Sequence, residues 1–120
     1  MVRTLELRIT INRNKCSATA VYLGEAVTIM KGSVINMDPS PYARGRLVKE
    51  YREDRVVVSD KGVLLRDCTF PSVSAAARFV TGRSENGYDA WKVEGDDTKL
   101  GDWLIKAGLR EIKKRNGKDS

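Results

Sequence analysis

Apolar and polar residues alternate over residues 4–11, with Leu5, Leu7, Ile9 and Ile11 on one side. This pattern predicts a strand with one buried and one wet face. Asn12-Arg13-Asn14-Lys15 supplies a turn, and residues 17–23 and 26–30 read as two further strands. Between them Gly24-Glu25 suits a two-residue type II′ hairpin, with glycine at its first central position. Three consecutive antiparallel strands are the simplest arrangement.

Past Lys31-Gly32-Ser33 the period changes. Asp38-Pro39-Ser40-Pro41 is a rigid connector able to start a helix, and residues 42–53 carry Ala43, Leu47, Val48 and Tyr51 on one helical stripe. Arg44 would lie along that stripe in an ideal helix, so either the helix starts after Gly45 or Arg44 reaches past the core edge. Val56-Val57-Val58 and Val63-Leu64-Leu65 flank Ser59-Asp60-Lys61-Gly62 and predict a second hairpin. Val73, Ala76, Ala77 and Val80 then give the i, i+3, i+4, i+7 stripe of a helix over residues 73–81. Ser72 or Ser74 can cap its start, and Gly82 can end it. Its run of alanines predicts close packing on the sheet. Asn86-Gly87 signals a turn, Tyr88 to Val93 a short aromatic strand, and Leu100, Trp103, Leu104 and Ala107 a last helix ended by Gly108.

These elements predict an α+β fold, an antiparallel twisted sheet of about six strands with two to three helices packed on it, in the order βββ-α-ββ-α-β-α. The 120-residue length suits one domain, expected over residues 1–112, with a basic disordered tail at 113–120. No apolar run approaches the roughly 20 residues of a membrane helix, and residues 1–6 lack the apolar core of a signal peptide, so a cytoplasmic location is expected. Of the 22 basic residues, Lys106, Arg110, Lys113, Lys114, Arg115 and Lys118 cluster at the end of the chain, opposed there by Glu111 and Asp119. A net charge of +6 concentrated in this way favours polyanions, and is equally the mark of a solvated end.

The composition also restricts chemistry. With no histidine, neither a Ser-His-Asp triad nor a Cys-His pair can be assembled. Cys16 and Cys68 belong to no C-x-x-C pair and read as small buried hydrophobes, so no metal site or cofactor is expected. Glu111-Ile112-Lys113, preceded by Asp96, Asp97 and Asp102, spells an E-x-K string, but at a helix end rather than on paired strands. The expectation is a protein that is not an enzyme.

Phe70-Pro71-Ser72-Val73-Ser74-Ala75-Ala76-Ala77, Gly82-Arg83-Ser84, Asn86-Gly87-Tyr88 and Trp91-Lys92 occur in an order that resembles the domain-of-unknown-function 4357 family. Val27-Thr28-Ile29-Met30-Lys31-Gly32-Ser33 is similar to that family's apolar strand ending in Gly-Ser, and the resemblance covers about residues 20–100. Where the family places a proline after the first serine, this chain has Val73 and so lacks a favoured first helical residue. The resemblance implies association with nucleases of the GIY-YIG type and with restriction–modification proteins. The family is similar to the restriction-enzyme adenine-methylase-associated domain, which implies a DNA-related role.

Residues 82–92 are therefore the candidate site. An exposed aromatic can stack on a base and an asparagine can bond an adenine edge. Arg83, Lys92 and Lys31 can neutralise phosphates, and Ser33 and Ser84 can donate to them. Arg46 and Tyr42 can extend a basic surface. Asn86 and Tyr88 complete the candidate set, although Asn-Gly is first of all a turn. Trp91 and Tyr88 can belong either to the core or to the binding surface. The leading expectation is a non-catalytic nucleic-acid-binding accessory module, with DNA preferred over RNA and a nuclease or methylase as a possible partner. The alternative is a protein-interaction domain, docking on another chain or on itself as a homodimer.

Overall fold

The alternation of the N-terminal segment becomes β1 (Glu6–Arg13), which buries Ile9 and Ile11 and leaves Glu6, Arg8 and Asn12 in solvent. The structure is a computed structural model and describes residues 6–13, 15–24, 26–37 and 46–109. β2 (Cys16–Leu23) and β3 (Ala26–Ile29) follow through two-residue turns, since Arg13 faces Cys16 and Leu23 faces Ala26. The second turn uses the freedom of glycine, with Gly24 at φ 64°. β4 (Cys68–Phe70) pairs with β3, while β5 (Lys92–Val93) and β6 (Thr98–Lys99) extend the other side. The result is a six-stranded antiparallel sheet in the order β4-β3-β2-β1-β5-β6.

Four helices complete the α+β fold: α1 (Arg46–Glu53), α2 (Val73–Thr81), α3 (Gly87–Ala90) and α4 (Leu100–Lys106). α2 touches β2, β3 and β4, whereas α4 touches β5 and β6. Strand pairing places Ile9, Ala20 and Ile29 in one row of the covered face. The alanines of β2 and of α2 (Ala18, Ala20, Ala76, Ala77) are all buried there, as small side chains at a close helix–sheet contact should be. α1 adds Val48 and Tyr51; the Tyr51 ring meets Phe70 edge-on at 5.3 Å and Phe79 at 6.0 Å. The opposite face of the sheet carries Arg8, Thr10, Asn12, Thr19, Thr28, Thr69, Lys92 and Lys99, all exposed or half-buried.

The element order departs from the expected one in two places. The valine runs do not form a strand pair. The Val57 and Val58 N–H groups both donate to the Asp54 carbonyl, and the Asp54 carboxylate accepts from Val56, so the first run begins inside a turn and leaves Val56 66% exposed. Val63 bridges to Val34, and across the loop the runs share a single bridge, Val58 with Leu64, with the Leu65 N–H donating to the Val57 carbonyl and the Ser59 N–H to that of Val63. The sixth strand comes instead from Thr98–Lys99, after a Tyr88 segment that is helical rather than extended. The expectations for Leu5, Tyr42, Ala43, Arg44, the E-x-K string and the basic tail fall outside the described residues.

Candidate functional site

Ser72 caps α2, accepting the Ala75 N–H at 3.1 Å, and Gly82 ends the helix at φ 73° with its N–H on the Arg78 carbonyl. The chain then turns back across the start of the same helix. Asn86 caps α3 by accepting the Tyr88 N–H at 3.0 Å, and the Gly87 N–H donates to Ser74 Oγ at 2.9 Å. Gly87 is buried with its α-carbon against the backbone of Val73 and Ser74, where any side chain would collide. One turn later Trp91, 0% exposed, donates its indole N–H to the Val73 carbonyl at 3.0 Å. Two side-chain bonds and a backbone contact thus clasp residues 86–91 to the first turn of α2. The Asn-Gly pair serves as a cap and a close approach; it is no left-handed turn, since Gly87 does not have a positive φ.

A concentration of positive charge lies at the far end of the β1–β2 hairpin. Arg13, Lys15, Cys16, Asn36, Thr81 and Arg83 line a groove of about 400 Å³, and Lys15 and Asn36 continue into a shallower one of about 370 Å³ reaching Lys61. Arg13 donates to the Glu85 carboxylate at 2.8 Å across 72 positions of sequence. No hydrogen bond or ion pair among the described residues engages the Arg83 guanidinium. Beneath the groove Arg52 donates from Nη2 to the carbonyls of Asn36 and Phe79, both at 2.7 Å, with its guanidinium 5.9 Å from the Phe79 ring centre. Burial pushes the Arg52 pKa down, and no carboxylate among the described residues pairs with it. An arginine nevertheless holds its proton at any physiological pH. The groove is therefore underlain by a half-buried cation.

The floor itself is internally satisfied. Asn36 Nδ2 donates to the Thr81 carbonyl, while Thr81 Oγ1 donates to Ala77 and accepts the Arg83 N–H. Burial raises the Cys16 pKa above the ordinary thiol value, against the opposing pull of Arg13, and Glu85 adds to the rise. Cys68 is pushed up to about 11, chiefly by burial. Neither thiol is a ready nucleophile.

Comparison with known sequences bears on this geometry. The sequence model of a family described as a domain of unknown function (DUF4357) matches residues 8–104. The chain belongs to that family. No curated protein and no solved structure matches it significantly. Of the residues that carry the DUF4357 resemblance, Ser72, Ser74, the alanines, Gly82, Asn86, Gly87 and Trp91 build α2 and its clasp. In this DUF4357 domain those motif residues account for the fold of the segment, while Arg83 of the same motif lines the groove.

The proposed site residues are correspondingly dispersed. Ser33 is buried and exchanges hydrogen bonds with Thr19, so its hydroxyl does not face a ligand. Lys31 is exposed beyond β3, beside Asp67, which accepts its N–H. Arg46 is exposed on α1 and pairs with Glu50 at 3.4 Å. Lys92 faces Thr10 on the open side of the sheet, near Asp89 and Asp97. Tyr88 is half-buried against the core, Asn86 and Ser84 are exposed, and Trp91 belongs to the interior. Only Arg83 enters the groove, and Arg13 stands between it and Lys92, lining the cavities on both sides. Arg13, Lys15, Asn36 and Lys61 were not legible as site residues. The first two read as turn residues, and nothing local links them to a helix end some seventy positions later.

Proposed function

We propose that this DUF4357 domain is a non-catalytic nucleic-acid-binding accessory module that favours DNA and serves a nuclease or restriction–modification partner. One observation carries the reading: Arg13, Lys15, Arg83 and Lys61 gather along adjoining grooves at one end of the molecule, with Arg52 beneath them and Glu85 paired to Arg13. Clustered cations bind phosphate backbones by releasing condensed counterions, and this needs no catalytic group. The link to a nuclease or methylase partner rests on the resemblance of the sequence to domains found beside such enzymes.

Fluorescence anisotropy with a short labelled duplex, its single strand and the matching RNA tests this. Engagement of four cations predicts a slope of log affinity against log salt of about −3.6, hence a loss of about 150-fold between roughly 50 and 200 mM salt. Arg83→Ala should reduce the magnitude of that slope by about 1 while leaving the thermal melt unchanged. Binding that ignores salt, or that is absent for every nucleic acid, contradicts the reading.

A further inference from the structure

Arg13, which lines the groove, is held by the carboxylate of Glu85. The Arg13–Glu85 contact is both hydrogen bond and ion pair at 2.8 Å, and the Glu85 side chain is only 16% exposed against 44% for Arg13. Carboxylate and phosphate offer a guanidinium the same planar pair of acceptor oxygens. Glu85 therefore occupies one donor of the Arg13 guanidinium as a phosphate oxygen would, while Arg13 itself stays exposed at the groove. Glu85 does not neutralise the site alone, because Arg83 shares the groove and the Arg52 guanidinium lies below Asn36 without an acidic partner among the described residues.

We propose that this groove is a phosphate seat in which Glu85 is the resident stand-in: a ligand phosphate displaces the Glu85 carboxylate from Arg13 and is then held by Arg13, Arg83 and Lys15. The proposal rests on the polyanion reading above and goes beyond it by naming the seat and the exchange that fills it. Glu85 lowers affinity, because its contact with Arg13 must be broken, and it favours a dianionic or bidentate phosphate able to outcompete a carboxylate. The phosphate can come from a nucleic-acid backbone or from a free phosphate ester, since the recognition chemistry is shared.

The test is a double-mutant cycle on the full chain, with folding checked by thermal melt. Affinity for a labelled DNA duplex is measured for wild type, Glu85→Gln, Arg13→Gln and the double variant, with Arg83→Ala as a second route should Arg13→Gln not fold. Glu85→Gln should bind about threefold more tightly, the scale of one surface ion pair, and the gain should vanish when Arg13 is glutamine. In the Arg83→Ala background the gain should persist on a weaker baseline. A Glu85→Gln gain of equal size without Arg13 would reflect net charge alone and overturn the exchange. Unchanged or weaker binding by Glu85→Gln, with wild type still salt-sensitive, would overturn the seat and leave the nucleic-acid reading standing. A parallel arm measures the melt in inorganic pyrophosphate. Arg13-dependent stabilisation there, without binding to any nucleic acid, would remove that reading and keep the seat for a free phosphate ester. No response in either arm removes both.

Discussion

Gly87→Ala should destabilise the fold by on the order of 3 kcal/mol or more, seen as a lower urea midpoint at unchanged slope. The position has no positive φ, so a purely conformational argument predicts a neutral or mildly stabilising change, since alanine reduces the freedom of the unfolded chain. Packing predicts the opposite sign. A methyl group at Gly87 would strike the backbone of Val73 and Ser74 rather than a flexible side-chain end. That backbone cannot retreat easily, because Ser72 caps the helix there, Ser74 accepts the Gly87 N–H and Trp91 holds the Val73 carbonyl. A change within about 0.5 kcal/mol would show that residues 86–91 do not lie against α2 as described.

The second large effect concerns Trp91. Its ring is wholly buried and its N–H is bonded at 3.0 Å, so Trp91→Ala should cost about 3–5 kcal/mol. Trp91→Phe retains much of the buried area but loses the indole bond to the Val73 carbonyl, which keeps its place in the α2 ladder, and should cost about 1–2 kcal/mol. Trp103, half-buried on α4, remains as the fluorophore for both denaturation curves. A loss below about 1 kcal/mol for Trp91→Ala would place the ring outside the core and restore it as a stacking surface for bases.

These two residues show where sequence reasoning reached and where it stopped. The alternation of β1 and the Val73, Ala76, Ala77, Val80 stripe are local periodicities, and burial follows them residue by residue. The valine runs carry an equally strong local signal, yet Asp54 captures Val56, Val57 and Val58 into a turn, a competition that propensity alone does not weigh. Asn86-Gly87 was legible as a chain reversal, but the reason for glycine there lies in Val73 and Ser74, brought against it only by the folded helix. The candidate site shows the same limit more sharply. Arg83 was identifiable as a cation at a helix end, whereas its companions Arg13 and Lys15 sit on a hairpin whose register alone carries them to it. Lys92, one residue beyond Trp91, is turned by the two-residue strand period to the opposite face.

The claim on which the functional account depends is that polyanions meet the hairpin end of this domain together with Arg83, while the clasp at residues 86–91 and the open sheet face serve structure. Amide chemical-shift mapping of the full chain during titration with a short DNA duplex tests this directly. The account predicts that the largest shifts cluster at Arg13, Lys15, Cys16, Asn36, Lys61, Arg83 and Glu85. Shifts centred instead on Arg8, Thr10, Lys92 and Lys99, or spread evenly over the surface, would contradict it.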